Sequence, residues 1–335
     1  MSKNFMRLWF AAALAMLIAG CGGEKTEGNP IDADTGDFKV ALITPNSVND
    51  SGWSALAYEG LRDIESQMGA EIQNVVASSP AEIADAMRSY AQKEFDLIIG
   101  HGYEYNAVGL EVGADFPTTV FVSTSGDTTA KNVGTFRFYL EQSTYLCGMI
   151  AAKLSKTRTI GMVGGPNVPS IESTFQAFEA GAKSVDPKIK VLKAYTNSND
   201  DVGAAKQQTL AFIDQGADMI IHQANAAAGG VFEACNERGV LVFGTNSDQA
   251  KDAPPRTVLA SAVIVAGPAF IDLAKRVKAG EFEGGVNLQG MKEGAVDLVW
   301  NDTITGGVPQ AVKDLIEETK KKIVSGELIV PKLEF

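Results

Sequence analysis

The sequence predicts an α/β protein built from two similar halves, and a repeated segment is the first observation that predicts it. Residues 95–103, FDLIIGHGY, return as residues 217–225, ADMIIHQAN, so that Asp96 and Asp218 lie 122 positions apart. The second observation is an alternation of apolar β-rich runs with amphipathic helical segments, which is typical of parallel sheets covered by helices. Because open α/β sheets bind ligands at the carboxyl ends of their strands, two facing halves predict one cleft between them.

The first half opens with an apolar β-rich run, a polar loop and a helix that starts near Trp53. Its second helix has the clearest start. Ser79 is a capping residue, Pro80 suits the first helical position, and Glu82 completes a capping box. The elements predicted for this half are strands at 38–44, 72–77, 95–103 and 118–123 and helices that begin near 53, 80 and 104.

The second half repeats this order after an extended segment at 133–138 and a helix at 142–155. Further extended runs at 258–264 and 296–300 and helices at 267–279 and 308–325 exceed what a tandem repeat needs. We interpret them as a chain that returns to the first half and then passes again to the second, which predicts a multi-stranded hinge. The repeat itself consists of strands at 159–164, 189–195, 218–223 and 240–245 and helices at 170–183, 202–215 and 227–238.

Each half is expected to form one lobe. The predicted lobes are 38–136 plus 249–287 and 137–248 plus 288–335. A length of 335 residues with 45% hydrophobic content also fits two globular domains.

The first twenty residues have the pattern of an export signal. Lys3 and Arg7 precede an apolar run that is short for a membrane span, and the segment LIAG stands directly before Cys21. That segment resembles a bacterial lipobox, which implies cleavage before Cys21 and lipidation of its sulfur; an ordinary signal peptide is the alternative. Residues 22–37 have no apolar periodicity and are interpreted as a flexible tether. The protein is therefore predicted to be anchored by lipid to a membrane on its extracytoplasmic side.

The charge argues against nucleic acid and anionic lipid surfaces as partners. The formal net charge is −12, and it becomes −14 once Lys3 and Arg7 leave with the signal. Cys147 and Cys235 lie in helical patterns and are most simply small core residues, although the sequence leaves a disulfide between them open.

Motifs of common enzymes are absent from the sequence. The glycine-rich turn GMVGGPNVPS lacks GxGxxG, and neither GxxxxGK[ST] nor GxSxG occurs. Two His residues in different halves do not form a metal cluster. We therefore expect no catalysis, no metal and no cofactor.

Aromatic and amide side chains gather at the loops that follow the predicted strands. Aromatic faces can sandwich a planar ring, while amides and a carboxylate can read its donor and acceptor edge. His101 and His222 occupy matching strand ends, where each could contact a ligand or cap a neighbouring backbone group. The predicted ligand-binding residues are Asn49, Trp53, His101, Tyr103, Phe175, Asn225, Asn246 and Asp248.

Several segments in this order resemble the basic membrane protein family of lipoproteins. They are the lipobox, NDSGW followed by AYEGL, YLCGMIAAKLSK, GGPNVPS with AFEAGAKSV, VFEACNERGVLVFGTNSDQ and GMKEG. The resemblance implies a type I periplasmic-binding-protein fold, in which two Rossmann-like lobes with parallel sheets are joined by a multi-stranded hinge. It also implies a substrate-binding protein that delivers a purine nucleoside to an ABC permease.

The chain departs from the nucleoside receptors of this family at three positions. Asn246 stands where the family has an acidic residue, and Thr174 stands where a stacking Phe is expected, with Phe175 one place on. The late strand, residues 259–265, lacks the Lys that would hold ribose hydroxyls. A free purine base therefore becomes a credible ligand.

From these features we predict a monomeric, lipid-anchored substrate-binding protein of an ABC importer that binds a purine nucleobase or nucleoside. Another planar or small polar ligand, such as a flavin or a sugar, remains an alternative. A ligand sensor that reports to a membrane signalling protein is a second alternative, and an enzyme acting on nucleosides is a third.

Overall fold

Two six-stranded sheets organise the computed structural model, which describes residues 38–49, 52–304 and 307–334. The predicted signal segment, Cys21 and the tether lie outside these residues. Within them the strands are β1 Lys39–Thr44, β2 Glu71–Val76, β3 Leu97–Gly100, β4 Val120–Ser123, β5 Val133–Phe138, β6 Thr159–Gly164, β7 Lys190–Tyr195, β8 Met219–Gln223, β9 Leu241–Asn246, β10 Val258–Ile264, β11 Val286–Gln289 and β12 Val296–Trp300.

Helices alternate with most of the strands along the chain, as the sequence pattern predicts. They are α1 Trp53–Met68, α2 Pro80–Gln92, α3 Glu104–Asp115, α4 Glu141–Leu154, α5 Pro169–Val185, α6 Val202–Asp214, α7 Ala228–Arg238, α8 Ala266–Lys278 and α9 Gln310–Ser325. The capping box predicted for α2 is present, with Ser79 accepting the Glu82 N–H and Glu82 accepting the Ser79 N–H.

The first sheet has the order β11-β5-β4-β3-β1-β2, and all its neighbouring strands are parallel. The second sheet has the order β12-β10-β9-β8-β6-β7 and is parallel except for β12, which pairs antiparallel with β10. This doubly wound arrangement confirms the predicted α/β class with two Rossmann-like lobes. The carboxyl ends of parallel strands share one edge of each sheet, so ligand-binding loops are expected there.

Two details of the hinge differ from the prediction. The range 249–287 was predicted for the first lobe, but β10 pairs with β9 and β12 in the second sheet. The chain returns to the first lobe only with α8, which packs on α1, and with β11. β11 itself was not predicted because it is a four-residue, largely half-buried edge strand without an apolar run.

The chain segments that connect the two sheets are hydrogen-bonded to one another. After β5, the Tyr139 N–H donates to the Gln289 carbonyl at 2.7 Å. Gln142 Oε1, at the start of α4, accepts the Met291 N–H at 2.7 Å. The loop after β11 is thereby attached to the loop after β5, and the hinge is a connected unit rather than separate strands.

The repeated Asp residues have matching structural roles at the edge opposite the carboxyl ends. Asp96 accepts the Lys39 N–H at 2.8 Å, and Asp218 accepts the N–H groups of Lys156 at 2.6 Å and Thr157 at 3.0 Å. In each lobe the carboxylate anchors the chain next to the first strand. The two copies of the repeat therefore share the backbone hydrogen bonds of this Asp as well as the strand that follows it.

Helices α4 and α5 approach closely because two glycines face each other across them. A Cβ at Gly148 would lie 2.0 Å from the Phe178 carbonyl oxygen, and one at Gly181 would lie 2.0 Å from the Tyr145 carbonyl oxygen.

Cys147 beside this contact and Cys235 in α7 are both buried free thiols. In the part of the chain that the structure describes, no helix combines the length and apolarity that crossing a membrane requires.

Candidate functional site

A cavity of about 440 Å³ lies between the carboxyl edges of the two sheets. This volume falls in the usual range for small-molecule sites. We call it the interlobe cavity. Its wall combines aromatic rings, amides, hydroxyls and three charged groups, and the residues that contribute most to its chemistry are Asn46, Trp53, Ser78, Tyr103, Glu104, Thr124, Ser125, Arg137, Phe138, Glu141, Ser170, Thr174, Asn199, Gln223, Asn225, Asn246 and Ile264.

Trp53 lies at the start of α1 and is held from behind by His101. The two rings are stacked, with centroids 3.8 Å apart and an interplanar angle of 23°. The indole Nε1–H donates to the His101 carbonyl at 3.1 Å, and His101 Nε2 lies 2.8 Å from the Trp53 carbonyl oxygen. Since one face of the indole is covered by imidazole, its other face is the one available to a ligand.

His101 was predicted to bind the ligand directly, but it is fully buried and does not line the cavity. A carbonyl oxygen can only accept, so Nε2 carries the proton that is donated to Trp53, and Nδ1 accepts from Thr124 Oγ1 at 2.9 Å. Burial lowers the pKa of His101 to about 3 because desolvation disfavours the imidazolium. His101 is therefore a neutral positioning residue for Trp53.

His222, at the matching position in the second lobe, is also buried. Its Nδ1 accepts the Ala224 N–H at 3.3 Å, and its Nε2 donates to Gln249 Oε1 at 2.9 Å. The same Gln249 oxygen accepts the Thr245 N–H at 2.8 Å. Burial lowers the pKa of His222 to about 4. Both His residues thus cap neighbouring groups, which is the alternative that the sequence left open.

Both imidazoles should remain neutral at physiological pH, and acid should destabilise the fold. An unfolded chain binds protons at its His residues below about pH 6.5. In the folded chain His222 is not protonated until about pH 4, and His101 is not protonated until about pH 3. The stability present above pH 6.5 is lost as the pH falls through this window, with a slope of up to roughly 1.4 kcal/mol per pH unit for each His.

The measurement is a pair of proton-detected imidazole titrations by NMR, which is simple because the chain has only two His residues. We expect no midpoint between pH 5.5 and 8 for either ring in the folded protein, and a urea series should show decreasing stability from pH 7 to pH 5. A folded-state midpoint near the ordinary His pKa of about 6.5 would contradict the buried, neutral assignment.

Tyr103 and Glu104 follow β3 at the mouth of the interlobe cavity. Tyr103 lines it with 41% of its surface exposed. Gly102 lies between β3 and these residues with φ 154°, and a Cβ there would lie 2.5 Å from Glu104 Oε2. The glycine therefore leaves room for the Glu104 carboxyl to fold back beside the loop.

Two predicted amides line the cavity from the second lobe, each on a left-handed backbone. Asn225 follows β8 with φ 52°, and Asn246 ends β9 with φ 71°. Asn tolerates this region better than most residues, and such conformations concentrate at functional sites. Asn225 Oδ1 also accepts the Trp53 backbone N–H at 3.1 Å, which joins the two lobes across the cavity.

Thr174, which stands where the family has a stacking Phe, lies in the cavity wall, whereas the predicted contact Phe175 does not. Phe175 is buried in the core and stacks against Tyr195 at 5.8 Å, while Thr174 lines the cavity. Neighbouring residues of an α-helix point about 100° apart, so a shift of one position moves a side chain from the cavity to the core. The prediction of Phe175 as a ligand contact is therefore wrong for this arrangement.

Asn49 and Asp248 are both exposed and do not line the cavity. The Asn49 N–H donates to Ser47 Oγ, and Asn46 takes the place in the cavity wall. The Asp248 carboxylate accepts the Ala250 N–H at 3.2 Å and caps a short 3₁₀ turn. Asp248 is thus held outside the cavity by its capping role.

Three groups in the wall were missed by sequence reasoning. Asn46 Nδ2 is buried and has no hydrogen-bond partner among the described residues, so it is a donor without an acceptor. Arg137 Nη2 and Glu141 Oε1 form an ion pair of 2.6 Å with side chains only 4% and 2% exposed. The signal for this pair was available, since Arg137 is the charged residue of the run VGTFRF and Glu141 follows it four positions later.

No group of three metal-ligating His, Cys, Asp or Glu side chains occurs within residues 38–49, 52–304 and 307–334. Amides and hydroxyls hydrogen-bond to neutral polar groups, and aromatic faces stack on flat rings. The wall of the interlobe cavity is therefore suited to holding a flat, polar small molecule.

Fold and cavity together define a two-lobed binding protein with its ligand site between the lobes. The chain belongs to the Bmp family, described as ABC transporter substrate-binding protein PnrA-like, whose profile matches residues 38–334. This confirms the basic membrane protein family indicated by the sequence motifs. Members of this family are extracytoplasmic substrate-binding proteins of ABC transporters.

Two similar proteins are described by the ligand that they bind. A purine-binding protein of Brucella abortus is 33% identical over 294 residues, which cover 87% of this chain and 82% of that protein. An ABC transporter nucleoside-binding protein of Lactococcus lactis is 29% identical over 344 residues, which cover 96% of each chain. The crystal structure of an ABC transporter solute-binding protein from Aeropyrum pernix K1 shares the fold with a TM-score of 0.76 at 21% identity, covering 88% of this chain and 94% of that one.

Proposed function

We propose that the protein binds a purine nucleobase or nucleoside in the interlobe cavity and delivers it to the permease of an ABC importer. The observation that carries this proposal is the free face of Trp53, which lies among amides at the carboxyl ends of two facing parallel sheets. The purine-binding and nucleoside-binding descriptions of the relatives from B. abortus and L. lactis support the same ligand class.

A purine offers the groups that this wall can recognise. Trp53 and Tyr103 supply aromatic surface for its flat ring. The unpartnered Nδ2 of Asn46 can donate to a ring nitrogen, and the amides of Asn225 and Asn246 can both donate and accept. Each group of the ligand edge would then have a partner, as a desolvated polar ligand requires.

A free base fits the cavity wall better than a nucleoside at the place where ribose would lie. β10 contributes Ile264 to the cavity and carries no Lys that could hold ribose hydroxyls. Arg137, the cation of the wall, is paired with Glu141. We therefore propose that a nucleobase is preferred and that a nucleoside binds more weakly.

Ligand contacts to both lobes would stabilise the closed arrangement by their differential free energy. The hydrogen bond between the Trp53 N–H and Asn225 Oδ1 already joins the lobes beside the proposed ligand position. The permease would recognise the closed arrangement of a monomeric binding protein.

Lipid anchoring through Cys21 forms part of the proposal and rests on the LIAG segment before it. Cys21→Ser is expected to move the protein from the membrane fraction to the soluble fraction, because a lipid chain supplies roughly 0.8 kcal/mol of membrane affinity for each buried CH₂. Immunoblotting of the two fractions measures this, and unchanged membrane retention would refute the anchor.

The ligand class can be tested by fluorescence titration with Trp300→Phe protein that lacks residues 1–21, in which Trp53 is the remaining tryptophan. Adenine and adenosine are expected to change the Trp53 emission with saturation, since the base would stack on its free face. Riboflavin and galactose are titrated in the same way, as representatives of the flavin and sugar ligand classes. Saturable binding of either of them without any response to purines would overturn the proposed ligand.

A further inference from the structure

The interlobe cavity holds an acidic group without a cationic counterpart. Its charged residues are Arg137, Glu141 and Glu104. Arg137 and Glu141 neutralise each other at 2.6 Å, and Ser173 Oγ donates to the same carboxylate. Among the described residues no cation forms an ion pair with Glu104, so the formal charge of the wall is negative.

The position of the Glu104 carboxyl is set by its loop. Glu104 is the first residue of α3, and its side chain is accessible from the cavity. Gly102 provides the space that the carboxyl occupies, because a Cβ there would lie 2.5 Å from Oε2 and 2.8 Å from Cδ. Desolvation raises the pKa of the Glu104 carboxyl, and a hydrogen bond from its own N–H offsets part of this rise. Glu104 is nevertheless an exposed residue at the cavity mouth, so its carboxylate is open to a hydrogen-bond donor on a ligand.

An ionised carboxylate accepts hydrogen bonds but cannot donate them, whereas amides and hydroxyls do both. A ligand that presents an N–H group to Glu104 would gain a charge-assisted hydrogen bond. A ligand that carries a phosphate would bring a second negative charge into a cavity whose Arg is already paired. The wall therefore discriminates by charge as well as by shape.

We propose that Glu104 is a specificity-determining residue that accepts a hydrogen bond from an N–H of the ligand and excludes phosphorylated nucleosides. This inference rests on the proposed function and narrows the ligand class to neutral purines with an N–H donor. It assigns discrimination between base and nucleotide to one side chain.

The test compares full-length wild-type protein in detergent with Glu104→Gln and Glu111→Gln by calorimetry with adenine, adenosine and AMP. Glu111 is the matched control because it lies on the same helix, is 74% exposed at its side chain and makes the same charge change outside the cavity. Glu104→Gln is expected to weaken adenine binding by about 10- to 100-fold, the usual range for a hydrogen bond to a charged group. The preference for adenosine over AMP should shrink by a similar factor, and Glu111→Gln should change neither.

The outcomes separate the two proposals. Equal adenine affinity and an equal adenosine-to-AMP ratio in all three proteins would overturn the role of Glu104 while leaving purine binding intact. Absence of purine binding in the wild-type protein would overturn the proposed function and this inference with it. Thermal unfolding of Glu104→Gln serves as the folding control and should match the wild type, since no ion pair with a described residue is lost.

Discussion

Replacement of Trp53 by alanine is expected to weaken purine binding by about 5- to 150-fold, because an aromatic face stacked on a base contributes roughly 1–3 kcal/mol. The fold should persist, since the Trp53 side chain is only partly buried and lies at the cavity rather than in the core. The hydrogen bond from its backbone N–H to Asn225 does not depend on the side chain. Calorimetry with adenine measures the loss, and circular dichroism verifies the fold.

Trp300→Ala is the matched control for this substitution. Trp300 is a partly buried tryptophan on β12 that does not line the interlobe cavity. Its removal should leave the adenine affinity within about threefold of the wild type, a difference of roughly 0.6 kcal/mol. Unchanged affinity in Trp53→Ala protein would refute the stacking site.

Arg137→Met is expected to lower the free energy of unfolding by about 3–5 kcal/mol, because it leaves the buried Glu141 carboxylate without its counter-charge. Arg137 also contacts Ser173, so the substitution disrupts a small buried network at the hinge. Urea denaturation monitored by circular dichroism measures the change. The double variant Arg137→Met/Glu141→Leu should recover most of the lost stability, because neither buried charge remains.

The control for the ion pair is Arg88→Met, which removes a pair between Arg88 and Asp115 on the surface of the first lobe. Exposed pairs contribute at most about 1 kcal/mol, so this variant should be close to the wild type. A similar loss in Arg88→Met and Arg137→Met would contradict the distinction between buried and surface pairs. A double variant as unstable as Arg137→Met alone would show that the cost does not come from the unpaired carboxylate.

Periodic patterns allowed most of the fold to be predicted from the sequence. Apolar runs of four to seven residues marked the central strands, and the capping box at Ser79 marked the start of α2 because its chemistry is local. β11 escaped prediction because a short, largely half-buried edge strand lacks an apolar run. β10 was assigned to the wrong lobe because sheet pairing is decided by contacts that are distant in sequence, and the order of elements does not specify them.

The candidate site could be predicted to the level of loops but not of individual side chains. Trp53, Tyr103, Asn225 and Asn246 were predicted as ligand contacts because they lie at strand ends or at the loops that follow strands, and all four line the cavity. Whether a residue one place further along faces a ligand or the core depends on the phase of its helix, which separates Thr174 from Phe175. His101 illustrates the same limit, because its burial behind Trp53 results from packing between two elements that lie 48 residues apart.

The identity of the molecule that the interlobe cavity retains is the most direct test of purine binding. Native and denaturing mass spectrometry of protein lacking residues 1–21, purified without added ligand, measures it by the difference between bound and free mass. We expect the mass of a purine base, with a nucleoside as the weaker alternative, and a smaller retained fraction of either in Trp53→Ala protein. A retained flavin, sugar or amino acid, together with no binding of added adenine or adenosine, would contradict the proposed function while leaving the two-lobed binding fold unchanged.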